Sequence, residues 1–282
     1  MIFKKYLAIV LAFFPLLLSA QYKTAGADQL GWELAVHSVC FSKNTLEQAM
    51  DSIKATGITS FIAYRGAQQV ETLKERMNYT IAQSKLSKLQ KIIQRKGLSL
   101  KHFSVINVES KEEWKKLFEF ANAMNVKMIL SEPAYEHLPY IDTLAQAYKI
   151  KVGIHNHSVP SRYWHPQTAI SYLKKYNLSK YIGLYPDTEN WIRSGLDPIE
   201  MLKLAEGRII AIQLKDRYKK PAPLGLGKIP VSGILHELKR QKFKGIISLE
   251  FFSSSEYKVA HIKKSADYFY EVANYLVSVP SK

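Results

Sequence analysis

The chain predicts a (β/α)8 TIM barrel of the α/β class, and three observations predict it. Short apolar runs alternate with amphipathic stretches in about eight units, and the connections between them are short. The runs between Lys151 and Phe252 (VGIHNH, IGLYPD, IIAIQLKD and IISLEF) each break into polar or ionisable groups at their C-terminal ends. Parallel strands closed into a barrel gather those ends around one pocket. The competing architecture is an open doubly wound sheet. It predicts a glycine-rich phosphate turn after the first strand, where HSVCFSKN stands instead.

Residues 1–20 stand apart from the fold. Lys4 and Lys5 precede an apolar run from Tyr6 to Leu18, and Leu18, Ser19 and Ala20 ahead of Gln21 form a small-residue cleavage site, the pattern of a signal peptide. The run is shorter than the roughly 20 residues of a spanning helix. Cys40 is the only cysteine, which excludes lipid attachment at a processed N-terminal cysteine and any intramolecular disulfide. The expectation is an exported product, periplasmic or extracellular, cleaved rather than anchored in the membrane. Residues 21–282 then form one barrel domain, close to the ~250 residues typical of the fold.

Along that domain WELAVHSVCF (32–41) reads as the first strand, ahead of the helical TLEQAMDSIKATG. SFIAYR (60–65) precedes IAQSKLSKLQKIIQRKG, and KHFSVIN (101–107) precedes SKEEWKKLFEFANAMN, where Ser110 and Glu113 form a capping box. VKMILSE (126–132) precedes LPYIDTLAQAYK, and KVGIHNH (151–157) precedes PQTAISYLKKY. IGLYPD (182–187) precedes DPIEMLKLAEG, whose Asp197–Pro198 step is a helix start. IIAIQLKD (209–216) precedes PVSGILHELKRQK, and GIISLEF (245–251) precedes the closing helix. The formal charge is +16, but the lysines are spread over these helices without interleaved aromatics. That reads as a solvated basic exterior, not a nucleic-acid surface.

Glu132, Asp187 and Glu250 end the fourth, sixth and eighth strands, so closure directs three carboxylates toward one axis. A divalent cation makes such a cluster tolerable; the competing reading is that each carboxylate caps a helix or pairs with a lysine. On the seventh strand Gln213 and Lys215 share a face, opposite Leu214 and Asp216. The Gln213 amide oxygen either completes a hard-ligand set or is satisfied by backbone. His155 and His157 share a face of the fifth strand, suited to metal ligation or to substrate binding. His37 and Asn107 end the first and third strands, and Arg65 the second, where it can hold a hydroxyl, carboxylate or phosphate. Tyr163, Trp164 and Trp191 lie in loops, to stack on a sugar or to pack those loops down. PLGLGK (223–228) offers backbone N–H groups to an anion.

These motifs resemble the xylose-isomerase-like barrel superfamily, which includes sugar isomerases, ketose 3-epimerases, inositol-catabolic enzymes and endonuclease IV. The resemblance covers nearly the whole mature chain. It is most specific in HNHSVPSRYW, YPDTENWIRSGLDP, GRIIAIQLKD, PLGLGKIPVSGILHELKRQKFKG and SLEFF, which resemble exported bacterial members of sugar phosphate isomerase/epimerase type. It implies a metal held by Glu, Asp, His and Glu from strands four, six, seven and eight, places filled here by Glu132, Asp187, Gln213 and Glu250. Two departures stand out. Asn190 replaces the His of a D-x-G-H-W pattern, and Gln213 replaces the His of H-L-K-D. An all-oxygen set favours Mn²⁺, Mg²⁺ or Ca²⁺ over Zn²⁺, with metal affinity below that of the family or lost.

The resemblance implies proton transfer on a keto or aldo sugar, or a related lyase or hydrolase reaction on an oxidised sugar. Glu132 and Glu250 would form the acid/base pair, with His155, His157, Asn190, Lys215, Arg65, Trp164 and Trp191 holding substrate. The alternative is a catalytically silent carbohydrate-binding barrel, motivated by Gln213 and Asn190. An endonuclease-IV-like activity needs a His-rich three-metal cluster, which these two amides and the export signal argue against.

Overall fold

A computed structural model describes residues 23–253 and 256–279. The leader expected over 1–20 lies outside the described residues. A helical stretch at 23–30 leads into eight barrel strands: β1 Trp32–His37, β2 Ser60–Tyr64, β3 Ser99–Ser104, β4 Met128–Ser131, β5 Lys151–His155, β6 Ile182–Tyr185, β7 Ile212–Leu214 and β8 Gly245–Leu249. The helices between and after them are α1 Leu46–Ala55, α2 Gln83–Arg95, α3 Lys111–Ala123, α4 Leu138–Tyr148, α5 Pro166–Lys175, α6 Thr188–Arg193, α7 Pro198–Leu204, α8 Val231–Arg240 and α9 Lys258–Ser278.

All eight strands pair in parallel, in the order β6-β5-β4-β3-β2-β1-β8-β7. The ring closes between β6 and β7 through the bridges Leu184–Ile209 and Asp187–Gln213 and a 2.8 Å bond donated by the Gln213 N–H to the Pro186 carbonyl. The fold is therefore the predicted (β/α)8 barrel. No helix among the described residues is long and apolar enough to cross a membrane.

Local sequence explains the element ends. Thr45 with Gln48, and Ser110 with Glu113, form capping boxes that satisfy the first free N–H groups of α1 and α3. On α2 the buried Leu86, Leu89, Ile92 and Ile93 recur at helical spacing and bury one stripe against the sheet. The strands stop short of the segments read from the sequence, and at two of them the reason is local. β1 ends at His37, whose Nδ1 accepts the Val39 N–H and caps a short 3₁₀ turn over Ser38–Phe41. β6 ends at Tyr185, because Pro186 has no N–H to extend the ladder and Asp187 caps the next helix.

The barrel interior is filled by Ala35, Ile62, Met128, Leu130, Tyr185 and Ala211, apart from the larger core between sheet and helices. Tyr185 spans the lumen to a hydrogen bond with the Ser248 hydroxyl. Gly153 makes room for it, since a Cβ there would lie 2.9 Å from both Leu130 Cδ2 and Tyr185 Cβ. This packed floor leaves the C-terminal ends of the strands as the open end of the barrel.

Candidate active site at the strand ends

A cavity of about 420 Å³ opens at that end. It is lined by His37 and Tyr64 from β1 and β2, Arg65 and Asn107 just beyond β2 and β3, and His155 and His157 at the end of β5. Asn190 and Arg193 of α6, Gln213 of β7, Lys215 just past it, and Glu250 and Phe252 past β8 also line it, with Val39, Ser42 and Val105. Closure thus brings together residues that are far apart in sequence.

Glu132, directly past β4, is buried behind the lining residues His155 and His157 of one wall. The Asn107 side-chain oxygen accepts the Glu132 N–H at 2.8 Å, and Arg162 donates to its carbonyl at 3.0 Å, so the backbone is fixed from both sides. His155 Nδ1 lies 3.0 Å from Glu132 Oε1, and His157 Nδ1 bonds the same oxygen. Burial alone would push the Glu132 carboxyl up, but these two imidazoles outweigh it and hold the group down at about 2. His157, hydrogen-bonded to that carboxylate, is pushed up from its ordinary 6.5 against the effect of burial. Its side chain is 60 % exposed and faces the cavity, whereas His155 is buried beneath it. The Glu132, His155 and His157 donor atoms lie within 4.8 Å of one another.

The opposite wall, past β6 to β8, is built around Lys215. Its Nζ lies 2.7 Å from Asp187 Oδ2 and 2.8 Å from Glu250 Oε1, with a side chain only 11 % exposed. Burial pulls this amine down, but Asp187 and Glu250 more than reverse that, so it stays protonated well above the ordinary lysine range. Gln213 Nε2 donates to Glu250 Oε2 and, at 3.3 Å, to Asp187 Oδ2. One ammonium does not neutralise two buried carboxylates. Burial drives Glu250 up, Lys215 opposes this, and the Asp187 charge adds to the rise.

Asp187 serves two functions at once. Its Oδ1 accepts the N–H groups of Glu189 (3.1 Å) and Asn190 (3.2 Å) as the cap of α6. Its Oδ2 faces the site and accepts Asn190 Nδ2 at 2.8 Å. His155 Nε2 stands 3.8 Å from that oxygen, so the two walls meet across its ring. On the β1 side, His37 Nδ1 accepts from the Val39 N–H, which leaves the proton on Nε2 to bond Ser104 Oγ at 2.5 Å. Burial first, and Lys215 second, lower its basicity well below the ordinary histidine range.

Other residues singled out from the sequence fall elsewhere. Trp191 is 1 % exposed and lies in the core beside Tyr163 and Ile154, not on the cavity wall, because it occupies the inner face of α6. Tyr163 bonds the Pro133 carbonyl at 2.9 Å and ties the loop after β5 to the end of β4. Trp164 packs edge-on against His165, away from the cavity lining. The PLGLGK amides are already occupied. Asp216 Oδ2 accepts from Gly225 and Gly227 at 2.9 Å each, and Oδ1 accepts from Ile229 at 3.1 Å. The chain's own carboxylate is the anion in that loop. Arg193 and Phe252 line the cavity without any sequence signal except that each lies a few residues beyond a strand-end carboxylate.

Comparison with known proteins agrees with this architecture. Residues 50–272 match the family model described as a xylose isomerase-like TIM barrel. No curated protein matches the chain by sequence. Among solved structures, an uncharacterised protein from Parabacteroides distasonis is 28 % identical, covering 85 % of this chain and 98 % of its own, with a TM-score of 0.70. A xylose isomerase-like TIM barrel protein from Mycobacterium smegmatis, solved in complex with magnesium, is 12 % identical over 87 % of this chain and 98 % of its own, TM-score 0.70. An L-ribulose 3-epimerase is 15 % identical over 88 % and 99 %, TM-score 0.66. The last two are likenesses of fold. The family match runs from within α1 to within α9 and so takes in seven of the eight barrel strands, and on it the chain belongs to the xylose isomerase-like TIM barrel family.

Proposed function

We propose that the protein is a sugar isomerase or epimerase-type enzyme that moves a proton on a keto or aldo sugar, or on an oxidised sugar in a related lyase or hydrolase reaction. The observation that carries this reading is the pair Glu132 and Glu250. They stand past β4 and β8, four strands apart in a ring of eight, and their carboxyl groups are driven in opposite directions. Two carboxyls whose surroundings separate their proton affinities divide into base and acid.

Glu132 is the base. Both histidines take its Oε1, which leaves Oε2 to accept a proton from the carbon beside a substrate carbonyl. Glu250, raised by burial, returns a proton from the opposite wall. Return to the same carbon inverts it, and return to the neighbouring carbon isomerises the sugar. Lys215 opposes the negative charge that develops on the substrate oxygen. His157, Asn190 and Arg65 are suited to orient hydroxyls, and the L-ribulose 3-epimerase likeness is in keeping with such a substrate.

A divalent cation is the cofactor the family implies. Glu132, Asp187, Gln213 and Glu250 do not offer it a common opening in this arrangement, since Lys215 bridges two of them and Gln213 turns its N–H to both. Glu132, His155 and His157 do fit a cation. A carboxylate with two imidazoles differs from the all-oxygen set expected from the sequence and admits Zn²⁺ and Mn²⁺. When bound there, the ion would supply Lewis-acid polarisation of a substrate oxygen.

We further propose, on the leader alone, that the protein acts outside the cytoplasm. The enzymatic reading is tested by incubating the protein in D₂O with a panel of ketoses, aldoses and sugar acids, with Mn²⁺ or Mg²⁺ added. Deuterium should enter at the carbon next to the carbonyl, and Glu132→Gln and Glu250→Gln should each slow this by about 10² or more. Absence of exchange with every sugar and metal, or exchange indifferent to Glu132→Gln, rejects it. Sugar binding without exchange would identify the silent carbohydrate-binding barrel.

A further inference from the structure

We propose that the Lys215 ammonium is a tethered replacement for a metal ion between Asp187 and Glu250, so that this half of the site works with a built-in monovalent cation. The inference concerns the site itself and holds whichever sugar the cavity takes; only its catalytic consequence rests on the proton-transfer reading.

Three observations lead there. The first is position: Nζ makes close contacts to both carboxylates, 2.7 Å to Asp187 and 2.8 Å to Glu250, at the point where the strand-six and strand-eight carboxylates converge. The second is saturation. Asp187 Oδ2 already accepts from Lys215, from Asn190 Nδ2 at 2.8 Å and from Gln213 Nε2 at 3.3 Å, while Oδ1 holds the cap of α6. A carboxylate has about four lone-pair sites, and five donors leave none for a metal. Both Glu250 oxygens are likewise engaged, one by Lys215 and one by Gln213.

The third observation is the sense of the Gln213 amide. A metal ligand must present a lone pair, yet Gln213 presents N–H to both carboxylates, and its Oε1 is buried with no partner. Turning the amide over would set that oxygen against two carboxylates. Gln213 and Asn190 therefore act as donors that complete an ammonium-centred cluster.

An ammonium has three N–H groups. Two are directed at Asp187 and Glu250. Glu189 Oε2 stands 4.0 Å from Nζ, beyond hydrogen-bond reach, and Glu189 is itself paired with Arg217 at 2.8 Å, so the third N–H can serve a substrate oxygen in the cavity that Lys215 lines. A fixed donor of this kind stabilises an oxyanion without any exchange of ligands.

The test has two parts. In the wild-type protein, amines are reductively methylated with formaldehyde and cyanoborohydride at neutral pH, with and without millimolar Mn²⁺, and peptides are mapped by mass. Lys215 should be modified about tenfold or more slowly than exposed Lys219 and Lys220, and Mn²⁺ should not change this. Modification at the rate of the exposed lysines, or exposure of Lys215 on adding Mn²⁺, overturns the proposal.

The second part starts from Glu132→Gln, which disables the Glu132, His155, His157 donor set. With Lys215 present this protein should take up no Mn²⁺ between Asp187 and Glu250. Adding Lys215→Met, which leaves two buried carboxylates without a cation, should raise Mn²⁺ affinity about tenfold or more and make the melting temperature rise with Mn²⁺. Equal Mn²⁺ binding with and without Lys215 overturns the proposal. If the double variant fails to fold, the labelling of wild-type protein decides alone. A failed deuterium exchange would sink the enzymatic reading and leave both measurements untouched.

Discussion

Replacing Glu132 by Gln should produce a stability loss whose size depends on pH in a defined way. In the folded chain His155 and His157 hold the carboxyl at about 2 against an ordinary 4.5, which corresponds to about 3 kcal/mol at neutral pH. Because the folded value is depressed, this contribution is complete above 4.5 and is lost as pH falls from there toward about 2. The partner imposes a second limit. His157 is raised above 6.5, so its share is complete below 6.5 and is lost as pH rises through the folded value. With 60 % of its side chain in solvent, that share is screened to under about 1 kcal/mol. Both describe one interaction and do not add.

The assay is urea unfolding of chelator-treated wild type and Glu132→Gln at a series of pH values over which both fold. The gap between the two should be about 3 kcal/mol at neutral pH, narrow steadily below pH 4.5, and shrink slightly on the alkaline side. A gap below about 1 kcal/mol at neutral pH, or one that does not change with acid, would refute the assignment of Glu132 as an ionised, histidine-bonded carboxylate.

The Asp216 loop gives a separate test. A Cβ on Gly227 would lie 2.0 Å from Asp216 Oδ1, so Gly227→Ala must break the cage in which Gly225, Gly227 and Ile229 bond that carboxylate. Hydrogen bonds to a charged group contribute about 1.5–3 kcal/mol each, and a loss of about 3 kcal/mol in urea unfolding is expected. A change under about 0.5 kcal/mol would mean that the loop is held by other contacts. For the leader, protein recovered from cells after native expression should begin at Gln21 by intact mass and N-terminal sequencing, and a product that retains Met1 would reject cleavage.

The barrel was legible because its signal is periodic: apolar strands, amphipathic helices and capping boxes repeat at fixed spacing, and the strand ends could be aligned. The same alignment indicates which residues share the pocket end, and Glu132, His155, His157, Asp187, Gln213, Lys215 and Glu250 do meet there. What it does not contain is pairing. Strand alternation tells that Gln213 and Lys215 share a face, but not that a long flexible amine reaches between two carboxylates. Trp191 shows the same limit from another side. Pro186 and Asp187 open a helix directly after β6, and helical rotation carries Trp191 into the core, whereas an extended loop would have left it facing the cavity. The glycines of PLGLGK read as an anion-binding turn, and they do bind an anion, supplied by Asp216 nine residues before Gly225.

If Lys215 replaces a metal, the rise of Glu250 follows from the exchange. A divalent ion between Asp187 and Glu250 would balance both charges and pull both carboxyls down, since a bound cation favours the ionised form. A single ammonium leaves one negative charge in a buried place, and the neutral amides of Gln213 and Asn190 add donors without adding charge. The uncompensated charge is felt at Glu250, where burial and Asp187 together exceed the pull of Lys215. The two amides that depart from the family pattern are then coupled to the acid on the β8 side. They donate N–H groups to both carboxyl groups around a weaker cation, and that weaker cation leaves Glu250 raised, the direction that the proposed acid role requires.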